Sequence, residues 1–150
     1  MSAPAYAAAT DVQRYIDLRT LILLTDDAGS GQFDTAAQAV VSAIIVDTQA
    51  RIDSAMKAAG YVTPTAAPGD MLRSLTCRLC VGPLYARRPM VQAPEALDRV
   101  AKAAEDELKL LAADKTFVPE GVRAQFLGAV KTPISISSDQ DRGWSGSDLF

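Results

Sequence analysis

The amino-acid sequence predicts an all-α protein: a small helical bundle with short N-terminal helices, three longer helices and an extended C-terminal tail. Three stretches carry this expectation. In 70–88, DMLRSLTCRLCVGPLYARR, the residues Met71, Leu72, Leu75, Leu79 and Tyr85 recur at helical spacings, and Cys80, Val81 and Leu84 widen the face until little of the middle is polar. A helix apolar on most sides is covered by its neighbours, so this one is expected at the centre. Stretches 35–59 and 94–113 carry one apolar stripe each, the mark of helices that bury a single face.

Composition sets the frame. A chain of 150 residues, 49% hydrophobic and 22% charged, is expected to form one domain with a genuine core. A net charge of −3 argues against a nucleic-acid binder held by bulk electrostatics. No run is long enough for a membrane span, and MSAPAYAAAT lacks the basic start and long apolar core of a signal peptide. Two cysteines and no histidine argue against a disulfide framework, and a reducing cytoplasm is the expected place of synthesis. The expected divisions are a flexible arm at 1–9, a helical core at 10–114, a linker with a short helix at 115–130 and an interaction tail at 131–150.

Taken in order, Thr10 and Gln13 form a possible capping box before Val12, Tyr15 and Ile16, a short amphipathic helix. The run 18–24 is either its continuation or a separate turn after a break near Asp17. TDDAGSGQFD, 25–34, is a loop by composition. As a calcium loop started at Asp26 it has Ser30 and Gly31 in place but Ala28 and Ala37 where ligands belong, so a turn ending in an N-cap is the preferred reading. The next helix shows Val41, Ile44, Thr48, Ile52, Ala55 and Ala59 on one stripe, with Ile45 and Met56 beside it. Thr35 and Gln38 offer a capping box, Gly60 a C-terminal stop, and Gln38, Ser42, Gln49, Asp53 and Lys57 a solvated side.

YVTPTAAP, 61–68, reads as an extended connector, with Asp70 the expected N-cap of the central helix. Pro83 predicts a kink or break between Leu79 and Pro83, and Arg87, Arg88 and Pro89 end the helix. The last long helix opens at Pro94 and carries Leu97, Val100, Ala101, Ala104, Leu108 and Leu111. Glu95 with Arg99, Asp98 with Lys102 and Glu105 with Lys109 are spaced for surface ion pairs. Stretch 120–130 allows a short helix with Val122, Phe126 and Leu127. The tail shows strand alternation at Ile134 and Ile136, then Trp144, Leu149 and Phe150 among Gly, Ser and Asp.

The chemical inventory is thin. Without histidine, Ser-His-Asp, Cys-His and histidine metal sites are excluded. Cys77 and Cys80 form a lone C-x-x-C inside an apolar helical run with no second pair, so buried structural thiols are expected, with no metal and no cofactor. GSG at 29–31 lacks the lysine and preceding strand of a phosphate cradle. No catalytic residue is assigned, and an enzyme is not expected. Such a tail cannot bury its aromatics alone: it reads either as a disordered segment or as one that orders on a partner, with Ile134 and Ile136 adding a strand to a sheet edge and Trp144, Leu149 and Phe150 as anchors.

The order of LTDDAGSGQFD (24–34), AIIVDTQARIDSAM (43–56), Tyr61 and Pro64, LYARRP (84–89) and the closing LKLLAADK resembles the Mu-type phage head–tail connector family, within the adaptor proteins of long-tailed phages. The resemblance covers about residues 10 to 115; Pro83 and the long tail depart from it. It implies a virion protein of the neck, between capsid and tail: an all-helical subunit in a homo-oligomeric ring, a dodecamer following the portal. The portal protein and a tail or stopper protein are the implied partners, and DNA passes the lumen without specific binding. The acidic chain is compatible with a lumen that must not grip phosphates. The alternative class is a small cytoplasmic helical interaction or regulatory protein.

Overall fold

The computed structural model describes residues 4–123. Among them a 3-10 turn, Ala9–Arg14, precedes four α-helices: α1 Leu18–Thr25, α2 Thr35–Ala58, α3 Asp70–Ala86 and α4 Glu95–Ala112. No sheet forms among the described residues; the one extended pairing is an isolated bridge between Tyr61 and Arg123. The all-α expectation therefore holds.

Helix α3 is central, as its composition requires. It packs on both α2 and α4, which also touch each other, and on the N-terminal elements. Its residues enter two core clusters. Leu72, Leu75 and Leu79 join Ile52, Met56, Ala104, Leu108 and Leu111 in one; Cys77, Cys80, Val81, Leu84 and Tyr85 join Val12, Ile16, Leu21, Leu24, Val41 and Ile45 in the other. Each fully buried leucine contributes about 1.5–3 kcal/mol, so this helix ties together both ends of the body. The expected break does not occur: α3 runs through Pro83. Gly82 and Pro83 lie on its exposed side, so the proline ring projects away from the core while the helix forgoes the one backbone hydrogen bond that Pro83 cannot donate.

Several helix ends differ from the expected caps, always because a better acceptor lies nearby. Asp11 returns to the Ala8 amide at 2.8 Å, in place of a Thr10–Gln13 box. Asp17 caps α1 by accepting from the Thr20 amide, so α1 is a separate helix. Asp34 caps α2 by accepting from the Ala37 amide at 2.9 Å, and Thr35 is already helical. This bears out the turn-and-cap reading of 25–34. Gly60 follows α2 at φ 90°, the stop expected of it. Asp70 is the first helical residue of α3 rather than its cap.

The arm expected to be flexible is packed from Pro4 onward. Tyr6 is 2% exposed and belongs to the first core cluster. The Gln49 side chain accepts from the Tyr6 amide and donates to the Pro4 carbonyl, both at 3.0 Å. The Tyr6 hydroxyl donates to Asp53 and accepts from the Thr65 amide at 2.9 Å. Gln49 and Asp53, read as solvated, are thus the groups that hold the arm. Burial first, then the Asp53 hydrogen bond, raises the Tyr6 pKa, and burial raises that of Asp53.

Cys77 and Cys80 are buried free thiols, and the Cys80 thiol donates to the Thr48 hydroxyl at 3.6 Å. Burial pushes Cys77 up to about 12 and Cys80 up to about 11 from an ordinary 9.0. A folded-state pKa above the unfolded one gives stability that is present below pH 9 and lost as pH rises through 11 and 12. Replacing both cysteines with alanine is therefore expected to give a shallower alkaline fall in melting temperature, alongside a modest cavity cost at neutral pH. Parallel alkaline falls in variant and parent would contradict this.

Candidate docking surfaces

The charged surface is mostly spent on internal ties. At one end of α3, Arg87 donates to the Leu24 carbonyl at 2.6 Å, satisfying the C-terminus of α1. Arg87 and Arg88 both pair with Asp27, at 2.7 and 2.8 Å. Within the loop, Asp26 accepts from the Gly31 amide at 2.6 Å, which lowers its pKa. Its carboxylates therefore brace the α1–α2 connection, and among the described residues no three His, Cys, Asp or Glu side chains gather to hold a metal ion. On α4, Glu95–Arg99 and Asp98–Lys102 pair as spaced, but Glu105 reaches across to Arg51 on α2 at 2.6 Å and Lys109 turns to Asp106. For Glu105, a donor on a neighbouring helix, Arg51, displaced the expected i,i+4 partner.

At the other end of α3 the chain builds a compact latch. Glu120 accepts from the Gly69 and Leu72 amides at 3.1 and 3.2 Å, so the N-terminus of α3 is capped by a carboxylate from far along the chain. Tyr61 is buried and its hydroxyl accepts from the Val118 amide at 3.2 Å. Arg123 lies 4.3 Å above the Tyr61 ring, donates to the Ala59 carbonyl at 3.0 Å and pairs with Asp114 at 2.7 Å. The Val62 amide donates to the Val122 carbonyl at 2.7 Å. Residues 120–123 are thus turned and extended, not helical as expected, because Glu120 finds its partners at the start of α3 and Arg123 finds its own just past the ends of α2 and α4 and on Tyr61.

Gly121 is required there. A Cβ would lie 2.6 Å from the Tyr61 ring and 3.2 Å from the Val118 Cβ. Gly121→Ala is expected to push 118–123 off Tyr61 and to accelerate hydrogen exchange at the Val62 and Val118 amides, leaving α2–α4 intact. Unchanged exchange at those amides would show that the latch has room the geometry denies.

Exposed apolar side chains mark both ends. Beside the latch are Val62, Val122 and Phe117, the last 71% exposed. Near the other end are Leu18 and Leu23 on α1 and Met90 at 95%. Helix α3, 17 residues and so about 25 Å long, separates the two ends. A shallow groove of about 510 Å³ runs between α2 and α4. The partner-binding residues expected from the sequence, Ile134, Ile136, Trp144, Leu149 and Phe150, lie outside the described residues, as do Phe126 and Leu127. The sequence reading missed the latch; its only signal was a glutamate, a glycine and an arginine in a stretch taken as linker.

These features define a small all-helical module with exposed apolar side chains toward both ends of α3 and most of its charges committed to bracing. The family described as Bacteriophage Mu, Gp36 matches residues 6–125, and the chain belongs to that family. It is thereby a phage structural or morphogenesis protein. No curated protein and no solved structure matches it. Among the described residues no helix is long and apolar enough to cross a membrane.

Proposed function

We propose that this chain is a head–tail connector: a neck subunit that assembles as a ring below the portal, docks the tail or a stopper protein, and leaves a lumen for DNA. Membership of the Mu Gp36 family over residues 6–125 carries the reading. Two further features support it. A closed ring needs a heterologous interface, in which each subunit meets two neighbours through different surfaces; Leu18, Leu23 and Met90 near one end of α3 and Val62, Phe117 and Val122 near the other are two different exposed apolar groups on one subunit. The net charge of −3 suits a lumen through which DNA must slide. A ring of twelve, following the portal, is the expected stoichiometry, with the portal and a tail or stopper protein as partners. Reconstruction of the particle neck without imposed symmetry is expected to show this chain as a closed ring of subunits contacting two neighbours each. An isolated dimer, or absence from the neck, would overturn the reading.

A further inference from the structure

We propose that the outer face of α1 packs on the outer face of α2 in a second copy of this chain, with Arg19 set against Asp47. Helix α2 is apolar on two sides. Val41, Ile45, Ile52 and Met56 are buried in the core, while Ala39, Ala43, Val46 and Ala50, three and four residues apart on the opposite side, are exposed. Val46 is 64% exposed. A helix with one side in water ordinarily carries charged and polar residues there, yet from Thr35 to Ala50 the only charged residue is Asp47. Arg51, four residues on, is committed to Glu105 at 2.6 Å. Among the described residues Asp47 has no ion-pair partner.

The occupant follows from charge and shape on the same chain. Helix α1 turns Leu18, Ile22 and Leu23 outward, with Arg19 between them on the helical surface. Arg19 is exposed, is the only charged residue of α1, and likewise has no ion-pair partner among the described residues. Each face is thus apolar around one uncommitted charge, and the two charges are opposite. The side chains also complement each other: alanines on α2 leave a shallow surface that lets another helix approach, and α1 supplies the large leucines that fill it. Within one copy the two faces cannot meet. Leu21 and Leu24 of α1 already pack with Val41 and Ile45 in the second core cluster, on the opposite side of each helix. A face on α1 therefore meets a different face on α2 of another copy, which makes the contact heterologous and able to propagate. Closure of that contact into a ring rests on the connector reading; the contact itself rests on the two faces.

The test uses the full chain and sedimentation velocity at low salt. Arg19→Asp and Asp47→Arg change exposed helical positions, and both variants are expected to keep the parent's helical circular dichroism and melting. The parent is expected to self-associate with rising concentration, and each variant alone at least about 10-fold more weakly, because like charges then face each other across the contact. Mixing the two variants restores an Asp–Arg pair at every contact, so the mixture is expected to associate as the parent does. A parent still monomeric at about 1 mM would overturn the proposal. So would single variants that associate like the parent, or a mixture that stays as weak as its components. Particles separate this result from the connector reading. Restored association in the mixture with the chain absent from particle necks would uphold the contact and end the connector reading; a complete neck ring built from either variant alone would overturn the contact and leave that reading standing.

Discussion

Ending the chain after Val130 is expected to leave the helical body folded and to weaken sharply the portal attachment proposed for it. The body keeps both core clusters, which lie wholly within residues 6–118, and it keeps the latch. What is lost is a polar segment bearing Ile134, Ile136, Trp144, Leu149 and Phe150. We propose that the Ile134–Ile136 alternation adds a strand to a sheet edge of the portal and that Trp144, Leu149 and Phe150 fill pockets beside it. Each large apolar side chain contributes about 1.5–3 kcal/mol when buried, offset by the cost of ordering the segment. Repeated around a ring, a modest gain per tail becomes an avidity of about 100-fold or more. Cosedimentation with portal-containing particles should therefore drop by at least that factor. Normal attachment and normal yields of infectious particles from the truncated protein would make the tail dispensable.

The second large effect is expected at Tyr6. Tyr6→Ala should cost about 3–5 kcal/mol, the range for removing a buried aromatic ring from a core. Tyr6→Phe keeps the ring but strips the partner from the Asp53 carboxylate and the Thr65 amide; leaving such groups unsatisfied costs about 1–3 kcal/mol. Urea unfolding of the two variants separates packing from hydrogen bonding. The pH dependence carries the same signature. The Tyr6 pKa is raised from 10.0, so its contribution is present below pH 10 and is lost as pH climbs through the raised value; Tyr6→Phe should lessen that alkaline loss. A Tyr6→Ala variant within about 0.5 kcal/mol of the parent would mean that the arm does not pack.

The helices were legible in the sequence because their information is local and periodic. Val41, Thr48, Ile52, Ala55 and Ala59 needed only spacing of three and four to mark a buried stripe, and Leu72, Leu75, Leu79, Cys80 and Leu84 only a nearly unbroken apolar circumference to mark the central helix. The buried state of Cys77 and Cys80 followed from that same setting. The order of soft motifs from Leu24 onward also carried the family. Tertiary structure alone decided which distant polar group would serve each unsatisfied backbone donor or carboxylate. Nothing near Tyr6 in sequence announces that Gln49, Asp53 and Thr65 will hold it, and nothing near Gly69 announces Glu120. Likewise Glu105 chose Arg51 over Lys109, and α3 passed through Pro83 because that residue faces outward. A hydrophobic stripe is written in one segment, whereas the latch, the arm and the capping of α3 by Glu120 each join two segments, and the choice between equivalent partners is made only once the helices bring them within hydrogen-bonding distance.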